Sequence, residues 1–171
     1  MALPLAGEPV RASHITNATT RRVQKTAPET VTSSTTVQND DHFVFALPVG
    51  LWRIELFLHV FGHATAGDIR TRWTNTGTMT ARGRSVRGPA STITDVRDGN
   101  MNSSAPATQF SDEVVCGCDA TTRGVVTEDI EVEVTVAGTL TFQWAQGTSS
   151  TTGTTVDTDS RAYLTQLEDF A

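Results

Sequence analysis

A chain of 171 residues is long enough for one domain with an appendage. Its 13 Lys and Arg against 19 Asp and Glu leave a net charge of −6, which argues against a general nucleic-acid binder. No apolar run is long enough to span a membrane, and the opening Met1-Ala2-Leu3-Pro4 has no basic start, so neither a membrane anchor nor a secretory leader is expected and assembly in a cytoplasm follows. Threonine and valine are frequent and favour strands, while glycine favours turns, so the expected class is all-β.

Residues 1 to about 30 read as an extended arm, interrupted by Pro4, Pro9 and Pro28. Arg11, Arg21, Arg22 and Lys25 outnumber Glu8 and Glu29 there, whereas the remainder is acidic. A short helix over residues 12–22 is weakened by Thr16, Thr19 and Thr20. Leu3, Leu5 and Val10 are the candidate apolar anchors, and Arg11, Arg21 and Arg22 the candidate basic contacts, of an arm that orders on docking. The alternative is a tail that hugs the surface or stays disordered.

Residues 32–37 read as a polar edge strand, followed by a turn at Asn39-Asp40-Asp41. Phe43, Phe45 and Leu47 then alternate inward. The longest strand is expected over residues 51–61, with a reach of about 35 Å. Trp52, Ile54, Leu56, Leu58 and Val60 form one apolar face; Arg53, Glu55, Phe57, His59 and Phe61 form a mixed face that suits neither a core nor plain solvent. Residues 69–75 alternate again, with Ile69, Thr71 and Trp73 on one side. A strand over residues 78–86 ends at Gly88-Pro89, and residues 91–112 are the least regular part, with Phe110 as a plug. Ile130, Val132, Val134 and Val136 alternate with an acidic outer face, and after Ala137-Gly138 so do Leu140, Phe142 and Trp144; the two strands read as a hairpin. A Thr/Ser/Gly loop over residues 147–155 precedes a last strand near residues 160–167. About eight strands with turns between them predict a two-sheet sandwich or jelly roll.

Nothing in this pattern amounts to an active site, so no enzyme and no cofactor are expected. His59 and His63 are too far apart on a strand to share zinc. Cys116 and Cys118, one residue apart, read as reduced thiols, at the edge of what a disulfide can bridge. Arg82, Arg84 and Arg87 form a basic run with two readings: a solvated strand face, the bland one, or a glycan or phosphate contact. Asp129, Glu131 and Glu133 read as a solvated face rather than a glycosidase pair. Asn17-Ala18-Thr19 and Asn102-Ser103-Ser104 match the glycosylation pattern, which matters only in a eukaryotic secretory route.

Several stretches carry a resemblance. They are Val49-Gly50-Leu51-Trp52-Arg53-Ile54-Glu55-Leu56, Gly67-Asp68-Ile69-Arg70-Thr71-Arg72-Trp73, Ala137-Gly138-Thr139-Leu140-Thr141-Phe142-Gln143-Trp144-Ala145-Gln146 and Ser160-Arg161-Ala162-Tyr163-Leu164. Together they resemble structural proteins of tailed bacteriophages, especially those of actinobacteria, and the start Met1-Ala2-Leu3-Pro4-Leu5-Ala6-Gly7 is similar to starts common in such virion proteins. The body resembles jelly-roll domains related to tumour necrosis factor and the complement globular head. The resemblance covers about residues 42–168 and rests on structural patterns, not catalytic motifs.

It implies an all-β jelly-roll β-sandwich, residues 42–171, behind an arm and first edge strand, residues 1–41, that dock on a capsid. It also implies a homotrimer, with Phe57, His59 and Phe61 at the threefold interface. Trp52, Ile54, Leu56, Leu58, Trp73, Leu140, Phe142 and Trp144 are the expected core. The expected role is a capsid decoration or minor capsid protein on the outer surface of the head, assembled in the host cytoplasm and bound to the major capsid protein. No membrane and no nucleic acid enter. The alternative is a tail-associated receptor-binding tip that takes a host surface glycan.

Overall fold

The structure, a computed structural model, describes residues 20–62, 68–91, 109–169 and the backbone of 101–103. Leu3, Leu5, Val10, Arg11, His63, the first glycosylation pattern and much of the irregular stretch lie outside these residues. The described residues form twelve strands: β1 (Thr20–Gln24), β2 (Glu29–Val31), β3 (Gln38–Leu47), β4 (Gly50–Phe61), β5 (Ile69–Asn75), β6 (Thr78–Pro89), β7 (Met101–Ser103), β8 (Val114–Cys116), β9 (Gly124–Val136), β10 (Gly138–Gln146), β11 (Thr154–Val156) and β12 (Arg161–Glu168).

They make a β-sandwich of two antiparallel sheets. The larger sheet, eight strands, runs β1-β12-β4-β9-β6-β7, with β11 joining the end of β4 and β2 joining β11. The smaller, four strands, runs β3-β10-β5-β8. As the alternation dictates, the long strands turn one set of side chains into the gap between the sheets. From the larger sheet come Ile54, Leu56, Leu58 and Val60 of β4, Ile130, Val132 and Val134 of β9, and Leu164 of β12; all are buried. Phe43 and Phe45 of β3, Trp73 of β5, and Leu140, Phe142 and Trp144 of β10 meet them from the smaller sheet, also buried. The rings of Trp73 and Phe142 meet edge to face at 5.1 Å, a favoured geometry for aromatic pairs. Trp52 is only partly buried; it packs against the core while its indole N–H donates to the Pro48 carbonyl at 3.1 Å. Gly50, at φ 143°, starts β4 where a Cβ would stand 2.5 Å from the Glu168 carbonyl oxygen, so a side chain is excluded.

Several sequence expectations are corrected. Strands β9 and β10 do not form a hairpin: β9 pairs with β4 and β6, and β10 with β3 and β5. Each has an apolar face to bury, so the chain crosses at Ala137 and the two strands face each other across the core. Residues 39–41 are not a turn but the start of β3, because the Asp40 carboxylate satisfies the local backbone, accepting from the His42 and Phe43 N–H groups. The polar edge strand expected over residues 32–37 is displaced to β2, with Ser33 beyond it at a φ of 53°. From Thr20 onward the expected arm belongs to the sandwich: β1 pairs with β12 along its length. Strand β6 continues through Gly88-Pro89, pairing with β7 there.

Candidate functional site

The mixed face of β4 lies on the outside of the larger sheet. Cross-strand partners point the same way, so register defines the surface. Phe57 stands opposite Arg161 of β12 and Thr127 of β9, and Glu55 opposite Tyr163 and Asp129. The Phe57 and Tyr163 rings meet edge to face at 6.1 Å. The Arg161 guanidinium lies 4.9 Å over the Phe57 ring, and that of Arg123 lies 5.6 Å over Phe61. Arg123 is itself paired with Asp157. Phe57, Phe61, Tyr163 and His59 are half-buried, and Val125, opposite His59, is 43% exposed. The result is an apolar strip with cations stacked on its rings.

Next to it is a charged ladder. Arg53 grips Asp129 with two hydrogen bonds, 3.0 and 2.6 Å, and reaches Glu55 at 3.4 Å. These acidic partners, Asp129 first, raise the Arg53 pKa. Between ladder and strip is a depression of about 320 Å³ lined by Arg53, Glu55, Phe57, Ser85, Arg87 and Thr127. Glu128 and Asp129 also line it, but the Glu128 side chain is fully buried, so two guanidiniums, two hydroxyls, two carboxylates and a ring make it a polar binding surface.

His59 sits within the strip. Burial, then the positive charges of Arg123 and Arg161, lower its pKa. Its Nδ1 is buried without a hydrogen-bond partner. A zinc site shared with His63 lies outside the described residues, and among those residues no three His, Cys, Asp or Glu could hold a metal ion.

The basic run on β6 splits. Arg82 is exposed and pairs with Glu133, and Arg87 is exposed, but Arg84 is buried. The cause is a bulge between Ala81 and Gly83, which shifts the pairing and turns Arg84, Val86 and Gly88 inward. There Arg84 meets Glu128 of β9, which also accepts from Thr71 Oγ1 at 2.5 Å and Trp73 Nε1 at 2.7 Å. The signal for Glu128 was its parity with Ile130, Val132 and Val134 once β9 runs unbroken from Gly124.

Cys116 and Cys118 are free, buried thiols. Burial first, then the negative charges of Glu128 and Asp68, push Cys116 up to about 12; burial pushes Cys118 up as well. Arg21 and Arg22, the part of the basic arm set that is described, lie exposed on edge strand β1. No protein-family model matches this chain, and neither a curated protein nor a solved structure matches it.

Proposed function

We propose that this chain is a structural protein of a tailed-phage particle: a capsid decoration or minor capsid protein that binds the outside of the head shell as a trimer. The observation that carries the reading is the apolar strip of Phe57, Phe61 and Tyr163 on the outer face of the larger sheet. A strip of aromatics with stacked guanidiniums is the composition that buries well between protein copies. Around a threefold axis, Phe57, His59 and Phe61 of each copy meet their equivalents.

Connectivity supports the jelly-roll form. From β3 to β10 successive strands alternate between the sheets except at the β6-β7 pair, so that β4-β9-β6-β7 lies in one sheet and β3-β10-β5-β8 in the other. Strand β1 is at the edge of the same larger sheet, with Arg21 and Arg22 exposed on it. Three such arms gain avidity on the major capsid protein. A chain starting at Thr20 is expected to remain a soluble trimer and to lose head binding; a truncated chain that still decorates heads overturns the arm's role.

The depression beside Phe57 favours a second reading, a receptor-binding tip for a host surface glycan, because Arg87, Ser85 and Thr127 present donors next to an aromatic ring. Binding of the isolated protein to host cells, lost on Arg87→Ala, distinguishes it from the first.

A further inference from the structure

Lys25 is the chain's only lysine. It lies just past β1, where its backbone N–H donates to the Ser160 carbonyl at 2.8 Å, and its side chain reaches across to the smaller sheet. The Nζ stands 2.8 Å from Asp40 Oδ2, and neither side chain has any exposed surface. A second carboxylate oxygen, Glu29 Oε2, is 2.9 Å from the same nitrogen. Asp40 Oδ1 accepts the backbone N–H groups of His42 at 2.9 Å and Phe43 at 3.1 Å, while Oδ2 also accepts the Trp144 indole N–H at 3.2 Å. The Phe43 ring closes the site 5.9 Å from Nζ. Glu29 is itself held, through Oε1, by the Gln38 amide at 3.0 Å.

As an ion pair alone, this arrangement contributes little, because burying two charges costs about as much as their attraction returns. Its parts are those of an acyl-transfer site: a nucleophile against a carboxyl group, a second carboxylate on the nucleophile, and two N–H donors on the oxygen where negative charge would develop. We propose that Lys25 and Asp40 join in an intramolecular isopeptide bond, formed by the folded chain itself with Glu29 as proton carrier.

The step balances without any outside reagent. In the first step a proton passes from the Lys25 ammonium to Asp40 Oδ2, 2.8 Å away. The freed amine lone pair attacks Asp40 Cγ and forms the Nζ–Cγ bond, while Oδ1 takes the negative charge between the two backbone N–H groups. Glu29 accepts a proton from the attacking nitrogen and delivers it to the Oδ2 hydroxyl. The Cγ–Oδ2 bond breaks and Oδ2 leaves as water. Two of the three ammonium hydrogens leave with it, the third stays on the amide, and Glu29 ends as it began. Holding amine and acid in contact supplies the proximity that a dissolved pair lacks. The product exchanges a buried ion pair for a neutral amide and fastens the segment after β1 to β3. It goes beyond the proposed function and does not depend on it.

Intact mass spectrometry of the full chain, purified folded and then denatured, tests the proposal. The expected mass lies one water below that of the sequence, with proteolysis yielding a branched peptide that joins Lys25 to Asp40. Glu29→Gln, which keeps the size of the side chain, is expected to fold by circular dichroism yet show the full mass. An unmodified mass for the native-sequence chain overturns the proposal, as does a water loss that maps to other residues. A fully linked Glu29→Gln chain overturns the role given to Glu29.

Discussion

The guanidinium of Arg84 and the carboxylate of Glu128 are joined twice inside the sandwich, Nε to Oε2 at 3.1 Å and Nη2 to Oε1 at 3.1 Å, with neither side chain exposed. Arg84 Nη1 also donates to the Asp112 carbonyl at 2.5 Å, and Trp73 ties the carboxylate to the opposite sheet. Every oxygen of Glu128 thus has donors, which is what a buried charge requires. Glu128→Leu leaves the guanidinium unpaired and should cost about 3–5 kcal/mol in urea unfolding. The double change Arg84→Met with Glu128→Leu should be less damaging than Glu128→Leu alone. Additive losses would contradict the pairing.

Phe57→Ser removes the centre of the apolar strip while leaving the inward face of β4 intact. The isolated sandwich should lose about 1 kcal/mol, the contact with Tyr163. On the proposed trimer model, association should weaken at least about tenfold, so sedimentation should shift toward monomer relative to the unmodified chain.

His59 links the face to pH. Its folded pKa is lowered, so the unfolded chain binds the proton more readily. The stabilising contribution of neutral His59 is therefore present above its ordinary value of 6.5 and fades as pH falls below it. Protonation would also add a third positive charge beside Arg123 and Arg161. The proposed trimer should loosen on mild acidification, and His59→Gln should flatten that profile in sedimentation at successive pH values.

Asp68 has the opposite sign. Burial, opposed by a hydrogen bond from the Cys118 backbone, pushes its carboxyl up from 3.8 to about 6. Its ionisation opposes folding at neutral pH, and stability is regained as pH falls through about 6 toward 4. Asp68→Asn should stabilise the chain at pH 8 by about 1 kcal/mol, a value reduced for the partial solvent access of the group, and the gain should vanish in acid.

What the sequence revealed follows from strand parity. Period-two alternation located the inward faces of β3, β4, β5 and β10, and the all-β sandwich with them. It also separated Phe57, His59 and Phe61 from the core face. Parity failed where a strand changed phase: the bulge before Gly83 moved Arg84 from a supposed solvent face into the core. Pairing was illegible too, since β9 and β10 look like a hairpin when read locally and are separated only by the need to bury both apolar faces. The polar cluster of Lys25, Glu29 and Asp40 gave no local signal, because its members meet through the packing of β1 and β2 against β3. Asp40 in particular sits in an Asn-Asp-Asp run that reads as a turn.

Copy number tests most directly the proposal that this chain coats a head shell. Quantitative mass spectrometry of purified particles should give a ratio to the major shell protein on the order of the shell subunits themselves. A few copies per particle would contradict decoration and place the chain at the tail or a unique vertex. Its absence from particles would contradict the virion assignment altogether.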